Sequence, residues 1–170
     1  MIEKNSVFIG LGSNLNNRSS RINESIELLS KNEFLHFCSI SSFYETEPVG
    51  VGPQPAYLNA VAKFSCTSTS DHLLELILEI EKKMGRIREK KGSPRIIDLD
   101  ILLFGSSVLK TPLLEIPHPR MHERRFVLEP LAEIAPNIFH PVLRKTAREL
   151  LELVVENKFW VKRIEDDSRT

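Results

Sequence analysis

Asp98 and Asp100 stand two residues apart inside Pro94-Arg95-Ile96-Ile97-Asp98-Leu99-Asp100-Ile101-Leu102-Leu103-Phe104, a stretch whose apolar density reads as a β-strand. At the strand period of two, both carboxylates share a face with Ile96, Leu102 and Phe104, while Ile97, Leu99, Ile101 and Leu103 form an apolar face opposite. Like charges about 6–7 Å apart on a sheet repel unless a cation lies between them. A solvated face of a half-exposed strand is the plain alternative. Oxygen donors with no His or Cys beside them suit magnesium rather than zinc, and magnesium completes its shell with water and substrate phosphates. The spacing therefore points to metal-assisted phosphate chemistry.

Two cationic clusters fit that chemistry. Lys82, Lys83, Arg86, Arg88, Lys90, Lys91 and Arg95 crowd the approach to the Asp-bearing strand, with Glu89 the one acid after Lys83. Such a run is usually a solvated loop, but beside paired carboxylates it can clamp the same polyanion, Arg by bidentate contacts and Lys as a point charge. His118, Arg120, Arg124 and Arg125 form the second cluster. The histidines show no zinc spacing, which leaves His118 a phosphate-facing or a structural role. Tyr57 and Asn59 share one strand face beside a Pro/Gly-rich loop; the Asn59 amide suits in-plane pairing with a heterocycle and equally suits closing a turn. Glu79 and Glu81 read as ordinary helix-surface acids.

The elements that must position these residues come from one chain of 170 residues, long enough for one well-buried core and short for two. A 41% apolar and 27% charged composition is that of a globular chain, and 23 basic against 23 acidic residues give no overall pull toward nucleic acid or an anionic membrane. Cys38 and Cys66 fall in no metal or redox spacing and suggest core or near-core thiols in a reducing compartment. The first residues lack an apolar leader and no run approaches membrane-span length, so a cytoplasmic location is expected.

Val7–Leu11 reads as a first strand closed by Gly12-Ser13-Asn14, with Gly10 and Gly12 open to close approach by a backbone or ligand. A helix follows, capped by Asn17 or Ser20, with Ile22, Ile26 and Leu29 inward. Phe34–Tyr44 alternates as a second strand ending near Thr46, and Pro48–Pro55 forms a long bendable loop. Tyr57–Phe64 is a third strand. Ser70 caps a second helix whose stripe of Leu73, Leu74, Ile77, Leu78, Ile80 and Met84 ends at Gly85. After the Asp strand, Gly105-Ser106-Ser107 suggests a hairpin into Val108–Lys110. Leu113–Arg120 runs extended, a helix from about His122 breaks or kinks at Pro130, and Thr146 caps the last helix with Leu150, Leu151 and Val154 inward. Beyond Asn157 the chain is mostly charged and loosely held, although Phe159, Trp160 and Ile164 could pack back onto the body. The order strand, helix, strand, strand, helix, strand predicts an α+β, ferredoxin-like antiparallel sheet with helices packed on it and a helical C-terminal extension.

Several segments together resemble the 6-hydroxymethyl-7,8-dihydropterin pyrophosphokinase family of folate biosynthesis: Gly12-Ser13-Asn14-Leu15, Ser42–Pro48, Gln54–Ala60, Pro94–Leu102, Pro117–Met121, Arg124–Leu128 and Pro130–Pro136. The resemblance implies a single catalytic domain over residues 1–157 and a charged tail over 158–170. It also implies transfer of the pyrophosphoryl group of ATP to the pterin hydroxymethyl group, with AMP released. By matching positions, Asp98 and Asp100 would hold two Mg2+ ions, with Arg86 and Arg95 beside them in catalysis. ATP would be met by Glu81, Arg86, Arg88, Arg95, Ile101, His118 and Arg124. The pterin would be met by Thr46, Val49, Tyr57, Asn59 and Phe126, with Tyr57 and Phe126 as an aromatic sandwich. A monomer, without nucleic-acid or membrane partners, is implied. One departure stands out: many members carry Trp-Gly-Pro-Arg where this chain has Gly92-Ser93-Pro94-Arg95.

Competing classes are weaker. An RNA-binding sheet would show an aromatic RNP-type motif and would not place paired acids toward phosphates. A regulatory small-molecule domain would not need the paired Asp. A P-loop kinase is excluded because the Gly-rich Lys-Ser/Thr motif is missing.

Overall fold

The computed structural model describes residues 4–48, 52–87, 92–154 and 159–165. Its frame is a six-stranded antiparallel sheet built from β1 (Asn5–Ser13), β2 (Leu35–Ile40), β3 (Phe43–Thr46), β4 (Tyr57–Cys66), β5 (Asp98–Phe104) and the late strand β10 (Val161–Ile164). In space the order is β10-β3-β4-β1-β5, and β2 pairs with β4 as β3 does. Two short hairpins, β6 (Leu109–Lys110) with β7 (Glu115–Ile116) and β8 (Phe139–His140) with β9 (Lys145–Thr146), lie outside it. The helices are α1 (Arg18–Ser30), α2 (Ser70–Lys83), α3 (Arg125–Ile134) and α4 (Ala147–Leu153), with a 3-10 turn at Met121–Glu123. Among the described residues no helix is long and apolar enough to cross a membrane.

Alternation along β1 divides the molecule. Val7, Ile9 and Leu11 point into the larger core with Ala60, Ala62 and Phe64 of β4, Leu99 and Ile101 of β5, Ile22 and Leu29 of α1, and Leu73 and Ile77 of α2. Phe8 faces the other way, into a smaller core with Val61, Leu102, Leu103, Met121, Val127, Leu131 and Ala147. The second face is thus only partly covered by α3 and α4. The rest of it is open for a site.

The helices start where hydroxyls and amides can replace missing backbone acceptors. The Asn17 side chain accepts from Ser20 N at the head of α1, which settles the choice left open between Asn17 and Ser20. The α2 cap is Thr69, whose hydroxyl accepts from His72 N, one residue before the Ser70 expected. Gly85, with φ +88°, follows the end of α2 in a conformation that costs glycine little. Thr146 caps α4 as expected and forms a reciprocal box with Glu149.

Tertiary pairing altered several local expectations. The second strand is two: Ser41 and Ser42 interrupt it, the Ser41 hydroxyl accepting from Val61 N while Ser42 N donates to Glu133 of α3. A register shift between Phe37 and Ser39 bulges β2 at Cys38, which is exposed rather than near-core; Cys66 is buried. The β1–β5 register likewise steps from Phe8↔Leu103 to Ile9↔Ile101, leaving Leu102 unpaired. That extra residue reverses the faces beyond it: Leu103 joins Asp100's side and Phe104 enters the larger core, opposite to strict alternation. Leu109–Lys110 pairs with Glu115–Ile116, not with the Asp strand. Helix α3 continues through Pro130, which is buried; the proline offers no N–H to the carbonyl four residues back, on Phe126, but does not end the helix. Val161–Ile164 forms an edge strand where a loosely held tail was expected, and Ile164 packs back onto the larger core as the sequence allowed.

Candidate active site

The uncovered part of the second face is a cavity of about 720 Å³, in the size range of small-molecule sites. Its floor follows from register. Asn59 of β4 and Asp98 of β5 flank Gly12 of β1, and Val61 and Asp100 flank Gly10 one row along. Glycine at both central positions keeps the floor low. A Cβ at Gly12 would stand 3.1 Å from Asn59 Oδ1 and 3.9 Å from Asp98 Cβ. Thr46 and Tyr57, paired across β3 and β4, close one end; Arg124, Arg125, Phe126 and Val127 at the head of α3 form a wall, with the Arg124 guanidinium 5.6 Å from the centre of the Phe126 ring.

Charge is concentrated at the β5 side. Arg95 Nη1 donates to Asp98 Oδ2 at 2.6 Å, and Arg86 Nη1 lies 2.9 Å from Asp98 Oδ1. Arg86 also pairs with Glu81, which is 3% exposed and accepts from Leu99 N at 2.9 Å. Glu81 is therefore a buried network member and not the surface acid its helix suggested. Burial, then the neighbouring Asp98 charge, pushes the Asp100 carboxyl up to about 7. Burial, then Arg124, lowers His118 to about 4, so at neutral pH it is an uncharged imidazole and adds no charge to the Arg120–Arg125 cluster. Its Nδ1 accepts from Arg120 N at 3.1 Å and its backbone N donates to Leu102 O.

Asn14 ties this site to its two loops. Its Oδ1 accepts from Arg95 N at 2.7 Å, its Nδ2 reaches Gln54 Oε1 and Pro55 O, and Gln54 Nε2 donates to Gly92 O at 2.6 Å. The Asn59 amide donates to Thr46 Oγ1 at 2.9 Å, so it bridges strands instead of closing a turn.

Of the residues singled out in the sequence, Thr46, Tyr57, Asn59, Arg95, Asp98, Asp100, Arg124 and Phe126 line the cavity together. Glu81, Arg86, Ile101 and His118 do not line it; Glu81 and Arg86 stand behind Asp98, and Ile101 lies in the larger core. Val49 and Arg88 lie outside the described residues, as does Lys90. The donor set fits a hard divalent cation: two carboxylates face one cavity, with no His or Cys among its described lining residues. Among the described residues no group of three or more His, Cys, Asp and Glu is placed to hold a metal alone, so part of the shell would come from substrate and water.

The family model described as 7,8-dihydro-6-hydroxymethylpterin-pyrophosphokinase (HPPK) matches residues 8–136. The chain belongs to the HPPK family. A 2-amino-4-hydroxy-6-hydroxymethyldihydropteridine pyrophosphokinase of Aquifex aeolicus is 43% identical over 143 residues, covering 84% of this chain and 88% of that protein. One of Bacillus subtilis is 42% identical over 134 residues, covering 79% and 80%. Among solved structures, a Plasmodium falciparum HPPK-DHPS superposes with a TM-score of 0.71 at 17% identity, a likeness of fold; it covers 89% of this chain, which spans 46% of that longer one.

In this HPPK-family chain the sequence reading missed Glu47, Phe159, Trp160 and Val161 as cavity-lining residues. The last three follow the matched span, and only their pairing with β3 brings them to the site. Gly12 carried a signal, a glycine two before Asn14 in a buried strand. Gly12→Ala is expected to shift Asn59 and lower kcat/KM by about tenfold to a hundredfold, as small misplacements in sites do, with the melting temperature little changed. Steady-state kinetics beside a thermal melt check it; unchanged kinetics would mean the floor has slack.

Proposed function

We propose that this chain is a 2-amino-4-hydroxy-6-hydroxymethyldihydropteridine pyrophosphokinase of folate biosynthesis, with ATP as donor and Mg2+ as the metal. The observation that carries this reading is the sharing of one cavity by Asp98, Asp100, Arg95 and Arg124 with Tyr57, Asn59 and Phe126. Anion-binding and heterocycle-binding groups meet there. Family membership supports the pyrophosphokinase class, and the α/β order around an antiparallel sheet is compatible with the ferredoxin-like description adopted for residues 1–157.

In this reading the pterin hydroxyl oxygen attacks the β-phosphorus of ATP, its proton is released to solvent, the bond from that phosphorus to the α–β bridging oxygen breaks, and AMP leaves with the bridging oxygen. Asp98 and Asp100 would hold two Mg2+ ions, which when bound supply charge neutralisation across the phosphates. Arg95, which lines the cavity and now pairs with Asp98, would exchange that partner for phosphate oxygens as the triphosphate arrives, and Arg86, which stands behind Asp98, is carried as a contact by motif position. Arg124 adds a positive charge at the α3 wall, and His118, outside the cavity lining, is carried as a contact by motif position. Tyr57 and Phe126 hold the two faces of the pterin, and Asn59, oriented by Thr46, meets its edge. Val49 and Arg88 are carried as contacts by motif position.

Incubating the chain with ATP, Mg2+ and 6-hydroxymethyl-7,8-dihydropterin, and separating the nucleotides, tests this. AMP with pterin diphosphate is expected. ADP would mean simple phosphorylation and would overturn the reading, as would turnover undiminished by EDTA.

A further inference from the structure

We infer that the C-terminal strand completes the heterocycle end of the cavity, with Trp160 as a pterin-contacting residue. The inference rests on the function proposed above and extends the site beyond the span matched by the family, which ends at residue 136.

Three observations meet at Trp160. First, β10 is bound to β3 as a sheet strand, with Val161 opposite Thr46 and Ile164 opposite Phe43, so residues just before Val161 are carried to the Thr46–Tyr57 end of the cavity. Phe159, Trp160 and Val161 line it alongside Tyr57, Asn59 and Phe126. Second, the entry into β10 is fixed. Trp160 N donates to Glu47 Oε1 at 2.9 Å, and Arg163 Nη2 donates to Ser42 Oγ at 2.9 Å with Glu133 3.9 Å away. Third, Trp160 at this anchored position is 46% exposed. A large aromatic held at the rim of a cavity by its own backbone, with much of its surface uncovered, is available to a flat ligand whose two faces are taken by Tyr57 and Phe126, and an edge-to-face contact with its rim is the one left to make. Gly92, which lines the same cavity, offers no side chain to that ligand.

The strand also closes an edge. Without β10 the outer side of Phe43–Thr46 would present unpaired backbone beside the site. Pairing there covers the edge, and the strand's first residue, Val161, with Phe159 and Trp160 before it, walls the cavity.

Trp160 is the chain's single tryptophan, so its emission reports on this position alone. With the intact chain, 6-hydroxymethyl-7,8-dihydropterin and a non-hydrolysable ATP analogue are expected to shift the emission to shorter wavelength and to reduce iodide quenching at least about twofold, as a half-exposed indole becomes covered. Trp160→Ala is expected to raise the KM for pterin about tenfold, the upper range for losing one edge-to-face aromatic contact, while the KM for ATP moves less than about twofold. Trp160→Phe is expected to restore most of the pterin KM. Should the chain form AMP normally while iodide access to Trp160 stays the same with ligands bound, the inference is wrong and the assigned reaction stands. Equal rises in both KM values would also overturn it, by showing a general structural role. If no AMP forms at all, the assigned reaction fails and this inference falls with it. The emission measurement needs no variant, so an unstable Trp160→Ala protein does not remove the test.

Discussion

Asp100→Asn is expected to reduce AMP formation by about a thousandfold or more, the upper range for losing one preorganised electrostatic contact, and yet to melt higher than the parent chain in metal-free buffer above pH 7. Both effects have one origin. Asp100 is partly buried beside Asp98, and its carboxyl is pushed up to about 7 from 3.8. Between those values the folded chain holds a proton that the unfolded chain has released, so stability falls as pH rises through this window and the loss is complete above it. An amide has no charge to desolvate, and a gain of roughly 2–4 °C for each kcal/mol recovered is the scale for a chain of this size. His118 has the opposite sign. Held neutral, with its pKa lowered to about 4 from 6.5, it favours the folded state at higher pH and loses that contribution as pH falls between those values. The two slopes oppose each other in the parent. Asp100→Asn leaves the His118 slope uncovered, so the variant gains stability as pH rises from about 4 to about 6.5. Melts at several pH values in EDTA, with AMP assays in Mg2+, read both outcomes. A variant that keeps its turnover would remove Asp100 from the reaction; one that melts no higher than the parent above pH 7 would show that burial does not act on this carboxyl.

What could be read in advance follows from how far apart in sequence the deciding residues lie. The Asp98/Asp100 pair is local: the period of two put both side chains on one face, and they share that face of β5. Tyr57 and Asn59 were read the same way and line the same cavity. The bulge at Leu102 was not legible, because it exists only where β5 meets Phe8 and Ile9 of β1, and it reversed Leu103 and Phe104. Pairing with β4 and contact with Glu133 likewise broke the second strand at Ser41 and Ser42. Trp160 sits in a mostly charged segment read as loosely held, from which Phe159, Trp160 and Ile164 could pack back; where they pack depends on an edge of β3 more than a hundred residues earlier in the chain. Glu81 is different, since its signal was present. It falls four residues after Ile77 and eight after Leu73, on the same stripe as Ile80 and Met84, and an acid on an apolar stripe is either a flaw or a partner for something buried.

That partner makes Glu81→Ala the substitution with the largest expected loss of stability, about 3–5 kcal/mol, the cost of breaking a buried ion pair from one side. Glu81 is 3% exposed, and the Arg86 side chain it holds is 12% exposed. Without the carboxylate, Leu99 N loses its acceptor between the two acids of β5, while Arg86 keeps its ion pair with Asp98. Glu81→Gln preserves the volume and an oxygen for Leu99 N, so it is expected to lose less than Glu81→Ala while still weakening Arg86. Paired replacement of Glu81 and Arg86 by Gln and Met removes both charges together, and the pair is expected to be more stable than the sum of the two single losses predicts. Urea unfolding of the four proteins measures that coupling. If the single losses simply add, Glu81 and Arg86 act independently; if they fail to add, the salt bridge behind Asp98 is a structural unit. Such a unit fixes the backbone of β5 at Leu99, midway between the two carboxylates, so a stability measurement on residues outside the cavity reports how firmly Asp98 and Asp100 are held.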